Sequence, residues 1–367
     1  MSSAISLPRH LAIAYIAMLV YACLHPLGGW QASGLPIFDY LLAPWPKYIN
    51  WGDIVVNVIG YVPLGFIVPS VLPRRWTRKR QIGVTMLGAF LLSFSLETLQ
   101  GFLPSRTASN LDIATNICGA FIGALLGVWW GRALFAPGRG LARWRERYIT
   151  HGRTGDAGLI LVALWLLVQL VPDHLLFGGG ELRRLLGIAP PLPFEAERLI
   201  TFEVAQTTSM MVAVGLFVRC MLRRKGPLLA VALLVLGIGA HTAACAICFI
   251  PPNPLIWLTP GTEYGLLIGA ALFAVALCLP RVAQHALAGA GLLMAAVLIN
   301  MMPESPYLRS GGPALIVRAN YPNFYGLCRL VATVWPFAAL AYLSAFGLLR
   351  GERLEEGRRG ESAVASL

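Results

Sequence analysis

Apolar positions in this chain come in long, nearly unbroken runs rather than in the alternating or three-to-four-residue patterns of a soluble fold. Such runs fall near 9–28, 52–72, 81–103, 112–131, 157–177, 199–219, 227–250, 262–280, 283–301 and 329–349. A helix rises 1.5 Å per residue, so about 20 residues cross the roughly 30 Å of hydrocarbon in a bilayer. Within lipid the backbone has only itself to bond to, which makes each run a helix. The pattern therefore predicts an all-α polytopic membrane protein with about ten transmembrane helices. Polar residues gather between the runs, with one exception. The stretch 95–116, SLETLQGFLPSRTASNLDIATN, sets Glu97, Gln100, Arg106, Asn110, Asp112 and Asn116 across the end of the third run and the start of the fourth.

Breaks in the pattern divide the chain. Residues 132–156, RALFAPGRGLARWRERYITHGRTGD, are basic and contain glycine, and they separate four runs from six. The expected organisation is a four-helix membrane domain over 1–131, a basic cytoplasmic linker over 132–156, a six-helix membrane domain over 157–350 and a disordered tail over 351–367. Within the linker, 144–149 reads either as a short surface helix with Trp144 and Tyr148 at the membrane interface or as a solvated charge run. Segment 31–50 holds Pro36, Pro44, Pro46, Trp45 and Tyr48, too broken to span and too apolar for a free loop, so it is expected to lie along the outer surface. Segment 302–328 is its counterpart.

Composition agrees with this picture. With 57% hydrophobic and 13% charged residues and a mean hydropathy of +0.68, a water-soluble globule is excluded. The net charge of +12 is explained by loops. If the N-terminus lies inside, 21 of the 29 Lys and Arg fall on inner segments, which fits the positive-inside rule with both termini cytoplasmic. Nucleic acid is therefore not the implied partner. The first run follows Arg9 but lacks a small-x-small cleavage pattern, so it reads as an anchor rather than a signal peptide. Seven scattered cysteines argue against a disulfide framework. No Gly-rich phosphate loop, H-E-x-x-H or G-x-S-x-G motif is present, and no cofactor or metal is implied. His241-x-x-x-Cys245-x-x-Cys248 lacks a fourth ligand and reads as small apolar packing.

Two further patterns point to chemistry. The second run begins Asp53-x-x-x-Asn57-x-x-Gly60 and the fourth begins Asp112-x-x-x-Asn116-x-x-Gly119, so each helix carries Asp, Asn and Gly along one stripe. Both helices run from outside to inside, and the stripes can face each other as a parallel pair. Glu97 and Gln100 share a face near the same outer end. Asp53 and Asp112 serve equally as N-caps, and Asn57, Asn116 and Gln100 equally as helix-to-helix bonds. A cap does not explain Glu97. Three acids around Arg106 leave excess negative charge, so the site is expected either to hold a proton on Glu97 or to bind a cationic group. Glu203-x-x-Gln206 echoes Glu97-x-x-Gln100 in the sixth run, and Glu263 opens the eighth.

The residues Asp53, Asn57, Gly60, Pro63-Leu64-Gly65-Phe66, Glu97-x-x-Gln100-x-Phe102-Leu103-Pro104-Ser105-Arg106 and Asp112-x-x-x-Asn116-x-x-Gly119-x-x-x-Gly123 resemble the VanZ-like family of bacterial membrane proteins. The likeness covers 50–131, or 1–131 with the first run. It implies a bundle of about four helices in the bacterial cytoplasmic membrane and, through the namesake's link to teicoplanin resistance, a loose tie to the cell envelope. Many relatives carry Lys or His between the positions of Asp53 and Asn57, where this chain has Ile54, Val55 and Val56. Runs five to ten resemble no known family.

Three functions remain open. In the first, an outward-facing polar pocket recognises a membrane lipid or lipid-linked envelope precursor: Glu97 and Arg106 anchor its charged group, with Asp53, Asn57, Gln100, Asp112 and Asn116 contributing to binding. In the second, Glu97 is the acid or base of an enzyme and Arg106 steadies a leaving group. In the third, Glu97 couples protons to transport, with Glu203 and Glu263 drawn in. The ligand and the oligomeric state are not readable from the residues.

Overall fold

Because an apolar run in lipid has no partner for its backbone but itself, the runs become helices. The computed structural model describes residues 6–25, 27–32, 34, 36–45, 51–104, 106–135, 140–149, 153–222, 227–248, 253–303, 326–345 and 347. Among them, nine helices are long and apolar enough to cross a membrane. Pro46, Tyr48, most of 302–328 and the tail 351–367 lie outside the described residues, as do 136–139 and 150–152 of the linker. The chain divides into two compact units, Met1–Asp156 with Asn320–Leu327, and Ala157–Ala319 with Cys328–Leu367.

The first unit holds α1 (Ser6–Leu24), the single turn α2 (Asp39–Leu42), α3 (Trp51–Val71), α4 (Arg78–Gln100) and α5 (Asn110–Leu126). The last of these widens into a π-turn over Gly127–Gly131, followed by α6 (Arg132–Phe135) and α7 (Gly140–Tyr148). Helices α3 and α5 lie parallel and closest together. A Cβ at Gly119 would strike the Val58 carbonyl, one at Gly123 the Val62 carbonyl, and one at Gly127 the Phe66 carbonyl, so the three glycines form a flat strip along which backbone meets backbone. Gly65 makes the reciprocal approach to the Ala120 carbonyl. Without a hydrophobic drive between helices in lipid, such close packing is a main source of association. Helix α1 packs on α3, where the Tyr15 hydroxyl donates to the Gly60 carbonyl at 2.7 Å. Tyr61, Leu64, Ala89 and Ala120 form the core between α3, α4 and α5. Thr77 caps α4 by accepting from the Arg80 N–H. In the linker, the alternative realised is a helix, α7, with the Trp144 and Tyr148 rings 5.6 Å apart.

The second unit holds α8 (Arg153–Val168), the turn α9 (Leu182–Leu185), α10 (Ala196–Met221), α11 (Leu228–Cys248), α12 (Pro260–Leu277), α13 (Arg281–Met301) and α14 (Gly326–Ala345). Helix α10 is central, packed on α12 and α13. Gly261, Gly265 and Gly269 of α12 face Glu203, Thr207 and Met211 of α10, a second glycine strip.

The run 157–177 departs from expectation. Its helix stops at Val168, and 16 residues rise only about 24 Å, short of a full crossing. Pro172 disfavours helical geometry at the residue before it and has no N–H to give. Leu176, Phe177 and Gly178–Gly180 are nevertheless buried, with Phe177 and Gly180 in left-handed geometry. Their backbone is satisfied by side chains and neighbouring helices. The Gln169 amide oxygen accepts from Phe177 N–H at 3.1 Å, the Ala332 carbonyl accepts from Gly180 N–H at 2.9 Å, and Asn300 donates to the Gly180 carbonyl at 2.7 Å.

Candidate functional site

Four helices of the first unit bring polar groups to one end of the bundle. Helix α4 ends at Gln100, and the turn 101–109 carries the chain to α5. Ser109 is extended just before α5 begins, and its N–H donates to Glu97 Oε2 at 3.0 Å. Glu97 is only 3% exposed, so its carboxylate reaches across the turn to a backbone donor that the start of the helix leaves free. Asp112, in the first turn of α5, accepts from the Asn57 amide at 2.9 Å, which joins the two Asp-x-x-x-Asn stripes across the α3–α5 contact. One turn further on, Asn116 donates to Ser93 Oγ of α4 at 2.9 Å. Gln100 donates to the Cys23 carbonyl at the end of α1 at 3.1 Å.

Arg106 does not pair with Glu97. Among the described residues it donates through Nη2 to the His25 carbonyl at 3.2 Å, while Glu97 feels its charge from further away. Burial pulls the Arg106 guanidinium down from its ordinary value, against the opposing pull of Cys23 and Glu97. A guanidinium stays charged regardless. Burial, and then the Arg106 charge, hold the His25 imidazole below its usual range, so it is neutral at pH 7. Asp53 is exposed one turn before Asn57, and its charge reaches Asp112. The structure thus gathers Asn57, Glu97, Gln100, Arg106, Asp112 and Asn116 at one end and leaves Asp53 at the rim.

Among the described residues, three polar atoms in this cluster are buried without a hydrogen-bond partner: Arg106 Nε, Asn116 Oδ1 and His25 Nδ1. Buried polar atoms are nearly always satisfied, which marks these three as the atoms open to a bound group or water. The segment after α1 folds over the same end. Gln31 N–H donates to the Phe102 carbonyl at 2.9 Å, Tyr40 and Thr98 hydroxyls meet at 3.0 Å, and Asn110 donates to the Ala43 carbonyl at 2.7 Å. Ile37, Phe38, Leu42 and Trp45 point out of this cover.

Reasoning from sequence missed Cys23, His25, Ser93 and Ser109. Ser93 had a signal, since it lies one turn before Glu97 on the same face. The others act through backbone groups or sit at the end of the first helix, where no pattern marks them.

Within these helices, the VanZ/LLP1 family model matches residues 12–131. The first part of this chain is VanZ-like. The segment takes in α1, α3, α4 and α5 and all seven site residues expected from sequence, whereas no family matches the rest of the chain. Over 108 residues, 28% of this chain and 81% of the relative, the chain is also 28% identical to the fluoride-specific ion channel FluC of Hydrogenovibrio crunogenus. No solved structure matches.

Proposed function

We propose that the VanZ-like unit recognises the polar head of a cell-envelope component, a membrane lipid or lipid-linked precursor, at the Glu97 cluster. The reading rests on one observation. An apolar bundle buries a carboxylate and two amides and half-buries a guanidinium at one end, yet among the described residues Arg106 Nε and Asn116 Oδ1 have no hydrogen-bond partner. Such atoms cost about 1–3 kcal/mol each unless something bonds them. A head group carrying both an anionic oxygen and hydroxyl or amine donors matches the set: Arg106 takes the anion, while Glu97 and Asn116 accept the donors. Binding of this kind shields or presents an envelope component, in keeping with the family's association with the envelope and antibiotic resistance. The apolar cover over 37–45 suits an acyl chain beside the head group.

Lipid mass spectrometry of the protein purified in nanodiscs tests this. Wild type is expected to retain an envelope lipid that Arg106→Ala and Glu97→Gln each lose by about tenfold or more, equivalent to about 1.4 kcal/mol. Absence of any enriched envelope lipid in wild type would overturn the proposal. The similarity to FluC adds a second arm: a fluoride electrode on proteoliposomes is expected to record no flux above empty vesicles.

A further inference from the structure

The second unit buries a separate polar group in the N-terminal half of a long helix, level with the start of α12. Helix α10 has 26 residues, and Glu203, Gln206 and Thr207 lie within an arc of about 100° on it. Glu203 is 5% exposed, and Gln206 and Thr207 are fully buried. Among the described residues, both amide atoms of Gln206 and the hydroxyl of Thr207 lack a hydrogen-bond partner. The Glu203 carboxylate accepts from the Thr259 hydroxyl at 2.7 Å, and Thr259 in turn caps α12 by accepting from Thr262 N–H at 3.1 Å. The same hydroxyl also lies 3.0 Å from the Thr262 hydroxyl. The glycine strip of α12 lies directly against this face, with the Gly261 backbone packed on Glu203 and the Gly265 backbone on Thr207. Among the described residues, Glu203 has no ion-pair partner, and Thr259 is the one polar group in contact with its carboxylate.

We propose that this site binds a small monovalent metal cation of the sodium class, with the Glu203 carboxylate supplying the charge and Gln206 Oε1 and Thr207 Oγ1 the neutral oxygens. One acid among neutral oxygens balances a single positive charge; divalent sites draw on more carboxylates. Water alone satisfies the amide and the hydroxyl but leaves the carboxylate buried without a counter-charge, the costlier defect. An anion is excluded by the lack of a cationic partner near Glu203 among the described residues. Gln206 Nε2 then bonds a water that completes the cation's shell. The site is independent of the head-group cluster in the first unit.

Radiolabelled sodium binding and thermal melting of the full chain in nanodiscs test the assignment, with NaCl exchanged for choline chloride at constant ionic strength and pH. Saturable sodium binding and a melting temperature that climbs with NaCl are expected, since a ligand of the folded state stabilises it. Glu203→Gln is expected to abolish both effects. Thr207→Val and Gln206→Leu, which keep volume and remove one oxygen each, are expected to raise the half-saturating sodium concentration by about tenfold. These two variants carry the test if Glu203→Gln does not fold. No saturable sodium binding in wild type overturns the proposal, as does unchanged binding in Glu203→Gln or in both neutral variants.

Discussion

Asn57 and Asp112 show what one polar contact does inside this bundle. The 2.9 Å bond ties α3 to α5 and gives the Asp112 carboxylate a donor that lipid cannot supply. Asn57→Ala is expected to lower stability by about 1–3 kcal/mol, because the acceptor stays behind unpaired. Asn57→Asp should cost more, since two acids would then meet. Melting of the two variants in nanodiscs gives the order. In the loop after α8, burial holds the His174 imidazole below its ordinary value; Arg329 and Arg184 push the same way, and Asp173 and Glu181 oppose them. The unfolded chain therefore binds the proton first. Stability is complete above about pH 6.5, falls as pH drops from there towards the lower folded value, and levels off below it. Melting temperature measured against pH should show this fall in wild type and a smaller one in His174→Gln. Of the site itself, the facing of the two Asp-x-x-x-Asn stripes was legible in the sequence, because they lie on helices expected to run parallel; that Asn57 bonds Asp112 was not. The partners of Glu97 and Arg106 were not. Opposite charges six residues beyond a helix end suggest a pair, but a free N–H at Ser109 and a carbonyl at His25 lie closer in the folded bundle.

At the scale of elements, both units use the same device. Glycines at four-residue spacing, 119, 123 and 127 in α5 and 261, 265 and 269 in α12, clear a strip on which a second helix lies close. In α5 the opposing atoms are main-chain carbonyls, which cannot swing aside. Gly123→Ala is therefore expected to force α3 and α5 apart at a cost of about 1–3 kcal/mol. Gly88→Ala is the matched control, since a Cβ there meets nothing within 4 Å, and it should be neutral or gain up to about 1 kcal/mol of helix propensity. Denaturant melts of both variants decide the point. Helix α8 shows the opposite case. Apolar residues continue past Val168 to Phe177, so hydropathy extends the span, but Pro172 ends the helix and the remainder packs as irregular buried chain. Hydropathy measures transfer to an apolar medium and does not distinguish lipid from protein interior.

For the whole molecule, charge and length make a joint prediction. The positive-inside rule predicts that the basic residues of the linker and those from Arg219 to Lys225 lie inside, in which case the chain leaves the cytoplasmic face after the linker and returns by α10. The short α8 with its buried continuation must then serve as a crossing. Cysteine substitutions labelled by an impermeant reagent in intact cells are expected to react at Gly187 and Ala196 from outside and at Gly140 only after lysis; labelling of Gly187 only after lysis would reverse the second unit. Apolar run length and the scarcity of charge determined by themselves that this protein is helical and membrane-spanning, because lipid admits few other ways to satisfy a backbone. The VanZ-like motif was equally plain, carried by residues at fixed spacing within one stretch of chain. Only tertiary structure decided which polar groups meet. Partners such as the Cys23 carbonyl for Gln100, Ser93 for Asn116 and Thr259 for Glu203 come from distant parts of the chain, and a hydrogen bond depends on ångström-scale placement that no spacing rule along a sequence contains.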